Sequence, residues 1–368
     1  MRKKMILLVL TLFIGLSACG NDDKELPDEP GKEQGGNGGD EPENPDNPSG
    51  NEPVSWYVAT TGNDGNSGTL DSPLKSISKA LLRVNPGDTI FLREGAYHEF
   101  VTPTRSGEKG KLITLKSYPG ETAKIDGTGM TIKGWFSALV QLKSVQYMTF
   151  ENLHICNATN SDVNTDPEGV YINGVSRDIT FRNCKVYNIK STCLAGHNNG
   201  DWRSAHAFLV IGDDNGTPIR NLTIEKCEIY DMHTGTSETL TIAGNVDGFT
   251  IQDCEVHDVE NIGIIVAGGD NLNAGGNISV NYARNGVVRR NKVYRCSHQV
   301  SKDFWEGVYN NPAAYGAIGI YVCGGASTII EQNIVWECDR AIGLVSESNV
   351  LALSLIHISE PTRLGMIS

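Results

Sequence analysis

The chain has 368 residues, with 44 acidic against 31 basic side chains and a net charge of −13. No basic patch or stripe interrupts that acidity, which excludes an electrostatic grip on nucleic acid, and the nine cysteines include no C-x-x-C pair of the kind zinc sites draw on. The first element, Met1 to Ala18, starts with Arg2, Lys3 and Lys4. It continues in an apolar run from Met5 to Leu16 that is too short for a typical membrane span, so a targeting segment is expected.

Leu16-Ser-Ala-Cys19 resembles the lipobox of bacterial lipoproteins. The resemblance implies that residues 1–18 are a signal peptide and that Cys19 carries lipid. It implies a location at the bacterial outer membrane, on the cell surface or the periplasmic face, with the chain anchored rather than spanning. Residues 19–53 are expected to be an acidic, disordered linker. From Gly20 to Pro53 there are eleven acids against two lysines and almost nothing apolar, so the segment cannot offset the entropy of folding and self-repels.

The folded domain is expected over residues 54–352. Trp56-Tyr-Val-Ala59 reads as a strand and Thr61 to Gly68 as a turn-rich loop. Asp71 or Ser72 caps a helix with Pro73 at its first position and Leu74, Ile77, Leu81 and Val84 on one face. Pro86-Gly-Asp88 ends that helix, and Thr89-Ile-Phe-Leu92 is a strand. A small helix here would seal the open apolar end of a stack of strands.

A phrase then repeats: Ile179-Thr-Phe-Arg-Asn-Cys-Lys-Val-Tyr187, Leu222-Thr-Ile-Glu-Lys-Cys-Glu-Ile-Tyr230 and Phe249-Thr-Ile-Gln-Asp-Cys-Glu-Val-His257, with looser copies ending at Ile155, Tyr294 and Trp336. Its apolar residues alternate, slip by one at Arg182-Asn183, and resume. Two short strands joined by a sharp bend give this pattern. A second strand type lies between copies, as in Gly169-Val-Tyr-Ile-Asn-Gly174 and Gly263-Ile-Ile-Val-Ala-Gly268. No unit buries its apolar face alone, but stacked units do, as coils of a parallel β-helix. One slot holds Leu153, Cys184, Cys227, Cys254, Asn291 and Asn333 in turn. Free cysteine suits a small buried position, asparagine there would form a hydrogen-bonded ladder, and Cys296 and Cys338 mark a second ladder of mostly reduced thiols.

Trp56-Tyr-Val-Ala-x-x-Gly-Asn-Asp64, Pro86-Gly-Asp-Thr-Ile90, Gly95-Ala-Tyr97, Ile113 to Gly120 and Ile125-Asp-Gly127 resemble the N-terminal signature of the secreted β-helix families that include the family-9 pectate lyases and the chondroitinase-B and alginate lyase group. The resemblance implies an all-β, right-handed, single-stranded parallel β-helix (a pectin-lyase-like solenoid) with an N-terminal capping helix. It implies action on a polysaccharide in a cleft along one outer sheet.

That outer face, from Tyr171 to Cys323, reads as apolar and small, with no carboxylate or lysine. A calcium-assisted lyase would carry clustered acids there. Asp213, Asp214, Asp247 and Asp270 follow the strands instead, and are the candidate Ca2+ ligands or simply turn residues. The long loops before the strands hold Trp202, Lys302, Trp305 and Tyr309 for stacking on or pairing with an acidic sugar. β-Elimination needs a base and a positive stabiliser, for which His206 or His233 with Arg203 are the candidates. Glycoside hydrolysis needs two carboxylates, for which Asp201 and Glu238 are the candidates. A lyase-like enzyme on an acidic polysaccharide, expected to be monomeric, is the leading expectation. A non-catalytic glycan-binding or adhesive protein is the alternative. The tail, residues 353–368, resembles a translated sequencing adapter from Leu353 to Arg363 and is expected to be non-native, with native sequence ending near Ala352 and the solenoid C-terminally truncated.

Overall fold

The computed structural model describes residues 52–162, 164–193, 203–269, 279–308, 316–346, 357–359 and 363–365. Cys19 and the leader lie outside them. From Pro53 onward the chain winds into coils of three strands, each strand pairing in parallel with its counterpart one coil away. One coil is Pro167–Asn173, Arg177–Arg182 and Lys185–Tyr187, and the next is His206–Gly212, Ile219–Glu225 and Glu228–Met232. The repeated phrase stacks on itself without slippage: Ile179 pairs with Leu222, and Leu222 with Phe249. Three long parallel sheets result, of seven, ten and nine strands among the described residues.

The slip in the phrase is the corner expected from it. Asn152, Asn183, Lys226, Asp253, Arg290 and Gln332 all have φ between 53° and 56°. Asparagine and aspartate tolerate this left-handed conformation better than most residues, and it turns the chain between two sheets within one residue. Inside, like stacks on like. The rings of Phe150 and Phe181 lie 4.6 Å apart and nearly parallel. Leu153, Cys184, Cys227, Cys254, Asn291 and Asn333 are all buried in the common slot. Asn291 Nδ2 donates to Asn333 Oδ1 at 3.0 Å, and the backbone N–H of Cys254 donates to Asn291 Oδ1 at 2.9 Å, so the ladder forms. Cys156, Cys184, Cys227, Cys254, Cys296 and Cys338 are free thiols.

Helix α1, Ile77–Arg83, closes the first coil with Ile77, Ala80 and Leu81 buried. It starts later than the sequence pattern suggests. Leu74 is held in an extended bridge to Val58, and its N–H donates to the Tyr57 carbonyl at 2.9 Å. Ser76 therefore caps the helix in place of Asp71 or Ser72. The first free N–H groups are taken up by carboxylates from elsewhere in the chain: Asp64 accepts from Ser76, and Glu99 from Ile77 and Ser78.

Two short stretches of the tail are also described. His357–Ser359 pairs with Ile329–Glu331, and Arg363–Gly365 pairs with Ile334–Trp336. A sheet edge with unpaired N–H and C=O groups accepts an extended segment of almost any sequence, which is enough to account for this pairing.

Candidate active site

The seven-stranded sheet contains a kink that sequence alternation hides. A side chain at Gly169 would meet Val186 Cγ1 of the core at 2.8 Å, and one at Gly263 would meet Cys296 Sγ at 3.0 Å, so these glycines face inward. Their successors, Val170 and Ile264, are core residues as well. Two consecutive residues thus face the interior, and the residue before them turns to the outer face. That outer row contains Ala138, Glu168 and His206, in register. Farther along it are Glu238 and Ile262, then Ile318 and Arg340. The next outer rows are apolar, as expected: Tyr171, Leu209 and Ile211 pack with Ala138, and Ile265 and Tyr321 with Ile318. The expectation that the face lacks carboxylates fails at the strand starts.

Glu168 is 0% exposed and its two carboxylate oxygens lie 3.0 and 3.1 Å from His206 Nδ1. His206 Nε2 faces Glu238 Oε2 at 3.7 Å, and the Glu238 side chain is 13% exposed, so it alone of the three reaches toward solvent. Burial by itself would lower the His206 pKa. The Glu168 carboxylate, with Glu238, overrides that and raises it to about 10. Asp166 is also buried. Burial, then the neighbouring Glu168 charge, raises its pKa to about 8, and its Oδ1 has no hydrogen-bond partner. The group therefore sets a carboxyl held protonated near neutral pH and an imidazolium beside Glu168, whose own pKa burial raises against the pull of His206. His206 sits here as expected, but as a cation rather than a base.

The other candidates fall elsewhere. Arg203 is buried, ion-paired with Glu260, bonded to Ser301 Oγ at 2.9 Å and stacked 3.8 Å from the Phe304 ring centroid. It pins helix α2, Lys302–Val308, to the loops before the sheet and does not reach a substrate's surface. Trp305 is 2% exposed and stacks on His298 at 3.6 Å, so it is packing, not a sugar platform. Lys302 is exposed at the start of α2. His233 answers to a different set of charges from His206. Burial, then Lys190 and Arg203, lowers its pKa to about 4, which leaves it neutral.

Nor are the candidate calcium ligands brought together. Asp213 accepts from Gly174 N and Asn173 Nδ2. Asp214 closes its own turn by accepting from Gly216 and Thr217. Asp247 pairs with Arg284 and Asn285. No grouping of three or more His, Cys, Asp or Glu side chains suited to a metal occurs among the described residues. Asp214 is used by its own turn, and Asp213 and Asp247 by bonds to neighbouring coils. Trp202, Tyr309, Asp201 and Asp270 lie outside the described residues.

Sequence reading missed Asp166, Glu168 and Glu260. The signal was present in the column Gly169, Ala207, Thr239, Gly263, Gly319. A run of small residues directly before a core position marks a doubled inward step.

The fold defines a class, the right-handed parallel β-helix proteins. The chain belongs to the Pel9A-like right-handed β-helix family, whose pattern it matches over residues 56–260. It is 31% identical over 305 residues to the uncharacterised protein YwoF of Bacillus subtilis, covering 83% of this chain and 60% of that one. It is 30% identical over 142 residues to the pectate lyase PEL9 of Emericella nidulans, covering 34% of this chain and 33% of that one. The chain thus spans three-fifths or less of these relatives. Among solved structures it resembles a lacto-N-biosidase from Eubacterium ramulus, with a TM-score of 0.58 and 18% identity over 77% of this chain and 52% of the other. It also resembles a rhamnogalacturonan lyase, with a TM-score of 0.52 and 12% identity over 79% and 73%. At those identities the likeness is one of fold.

Proposed function

We propose that this protein cleaves a polysaccharide bound along the outer face of the seven-stranded sheet, with Asp166, Glu168, His206 and Glu238 as the chemical centre. The observation that carries the reading is the buried row itself. The row sets the His206 imidazolium between Glu168 and Glu238, of which Glu238 reaches solvent, and Asp166, two residues before Glu168, is a carboxyl kept protonated near neutral pH. Asp166 suits a general acid to the glycosidic oxygen, and Glu238 suits a base to water. Glu168 and His206 hold the orientation. Hydrolysis fits this row better than elimination, because a protonated His206 takes no proton.

Elimination is the second reading, and the likeness to PEL9 supports it. In that case the neutral His233 is the base to test. Incubation with a panel of neutral and acidic polysaccharides decides between them. Saturated oligosaccharides, with turnover falling by about 10²-fold or more in Glu238→Gln, are expected. Unsaturated products would transfer the reading to elimination. Retention of glycan without any product would make the protein a binding module.

We further propose that Cys19 is lipidated and tethers the chain to a bacterial outer membrane, on the strength of Leu16-Ser-Ala-Cys19. Expression of the full chain in a Gram-negative host, with fractionation and labelled fatty acid, tests this. Loss of label and release from the membrane in Cys19→Ala are expected, and an unlabelled wild type sinks the idea.

A further inference from the structure

Among the exposed large apolar side chains of the described residues, Trp135 stands out. Its side chain is 62% exposed, although a tryptophan has more apolar surface to hide than any other residue. Its place in the fold is specific. The backbone on either side is bonded to the residues that start the candidate site: Gly134 N donates to Thr165 Oγ1 at 3.1 Å. Asp166 N donates to the Gly134 carbonyl at 3.1 Å, and Ser137 N to the Asp166 carbonyl at 3.0 Å. The loop carrying Trp135 is therefore stitched to the backbone of Asp166. Its neighbour Phe136 is turned onto the outer face, with its ring 5.3 Å from that of Tyr171.

The conformation is forced as well. Phe136 has φ of 56°, in the left-handed region that a bulky aromatic residue disfavours. Such strain persists where the surroundings impose it, and here the bonds to Thr165 and Asp166 do so. The effect is to pack Phe136 down beside Tyr171 and to leave Trp135 standing in solvent next to the chemical centre.

We propose that Trp135 is a stacking platform for a sugar ring of the bound polysaccharide, to the side of the bond cleaved at the site formed by Asp166 and the row of Glu168, His206 and Glu238. The proposal rests on the reading of that row as a glycan-cleaving centre. The apolar face of a pyranose ring matches an exposed indole, and the match is indifferent to the sugar's charge. Trp135 thus contributes affinity and register on the sheet without taking part in proton transfer.

The test uses the full chain and soluble polysaccharides, polygalacturonate and arabinogalactan among them, in affinity electrophoresis and in turnover. Trp135→Ala is expected to weaken retention and raise KM about tenfold with kcat little changed. Trp135→Phe is expected to recover most of that loss. The thermal midpoint should stay at the wild-type value, as befits an exposed side chain. Retention measured in a Glu238→Gln background separates the two claims. If Trp135→Ala leaves retention unchanged while Glu238→Gln abolishes turnover, the platform is refuted and the active site stands. If retention depends on Trp135 but turnover is untouched by Glu238→Gln, the platform stands and the active site is refuted. No retention or turnover of any polysaccharide by the wild type overturns both.

Discussion

At the scale of the residue, His206 shows how a buried group takes its character from its neighbours. With ordinary imidazole at 6.5 and the folded value raised to about 10 by Glu168 and Glu238, the folded protein binds this proton more tightly than the unfolded chain. The stability it contributes is complete below pH 6.5 and is lost as the pH climbs toward 10. Asp166, with its pKa raised to about 8, adds a loss of the same sign that is spent by then. Urea unfolding between pH 6.5 and 10 should therefore show stability falling with pH, and Glu168→Gln should flatten that slope while lowering stability near pH 6. Equal slopes in both proteins would contradict the assignment. His206 was legible from sequence because a histidine at a strand start is conspicuous. Glu168 was not, because strict alternation puts it inward and only the doubled inward step at Gly169 and Val170 turns it out.

At the scale of the element, the slot that changes from cysteine to asparagine joins coils through side chains as well as backbone. Asn291 bonds to the Ile251 carbonyl, to Asn333 and to the Cys254 N–H at about 3 Å each. Asn291→Ala strands those groups in the core and should cost about 2–3 kcal/mol in denaturant unfolding. Asn291→Cys, which restores the side chain used at 254, should cost less. A loss below about 0.5 kcal/mol for the alanine variant would show that the ladder is a consequence of stacking and not a support for it. This element could be read from sequence because the repeat places like residues in like slots. Helix α1 was read only in outline. Its apolar face was visible at Ile77 and Leu81, but its start is set by Leu74 pairing with Tyr57 and by acids at positions 64 and 99, contacts that local pattern does not contain.

At the scale of the whole molecule, the same reading that yields three stacked sheets from a repeated phrase says little about the chemistry between them. The core stacks like on like, so its rule is written in every coil and shows in the sequence. The site is built from residues that change from each coil to the next: an alanine at 138, then Glu168, His206, Glu238 and an isoleucine at 262. A pattern search across copies discards such a row because it does not repeat. The loops that pin it, through Arg203 and Glu260, join positions 57 residues apart.

The nine-stranded sheet has a consequence of another kind. Tyr187, Tyr230, His257, Tyr294 and Trp336 stand in one file, with successive ring centroids 4.9, 5.3, 4.8 and 4.1 Å apart. Tyr294 lies close enough to Trp336 for light it absorbs to pass to the indole and leave as tryptophan emission, whereas the imidazole of His257 relays nothing. The solenoid thereby contains its own optical gauge. As long as these two coils remain in contact, absorption by Tyr294 feeds Trp336 emission, and their separation weakens that transfer.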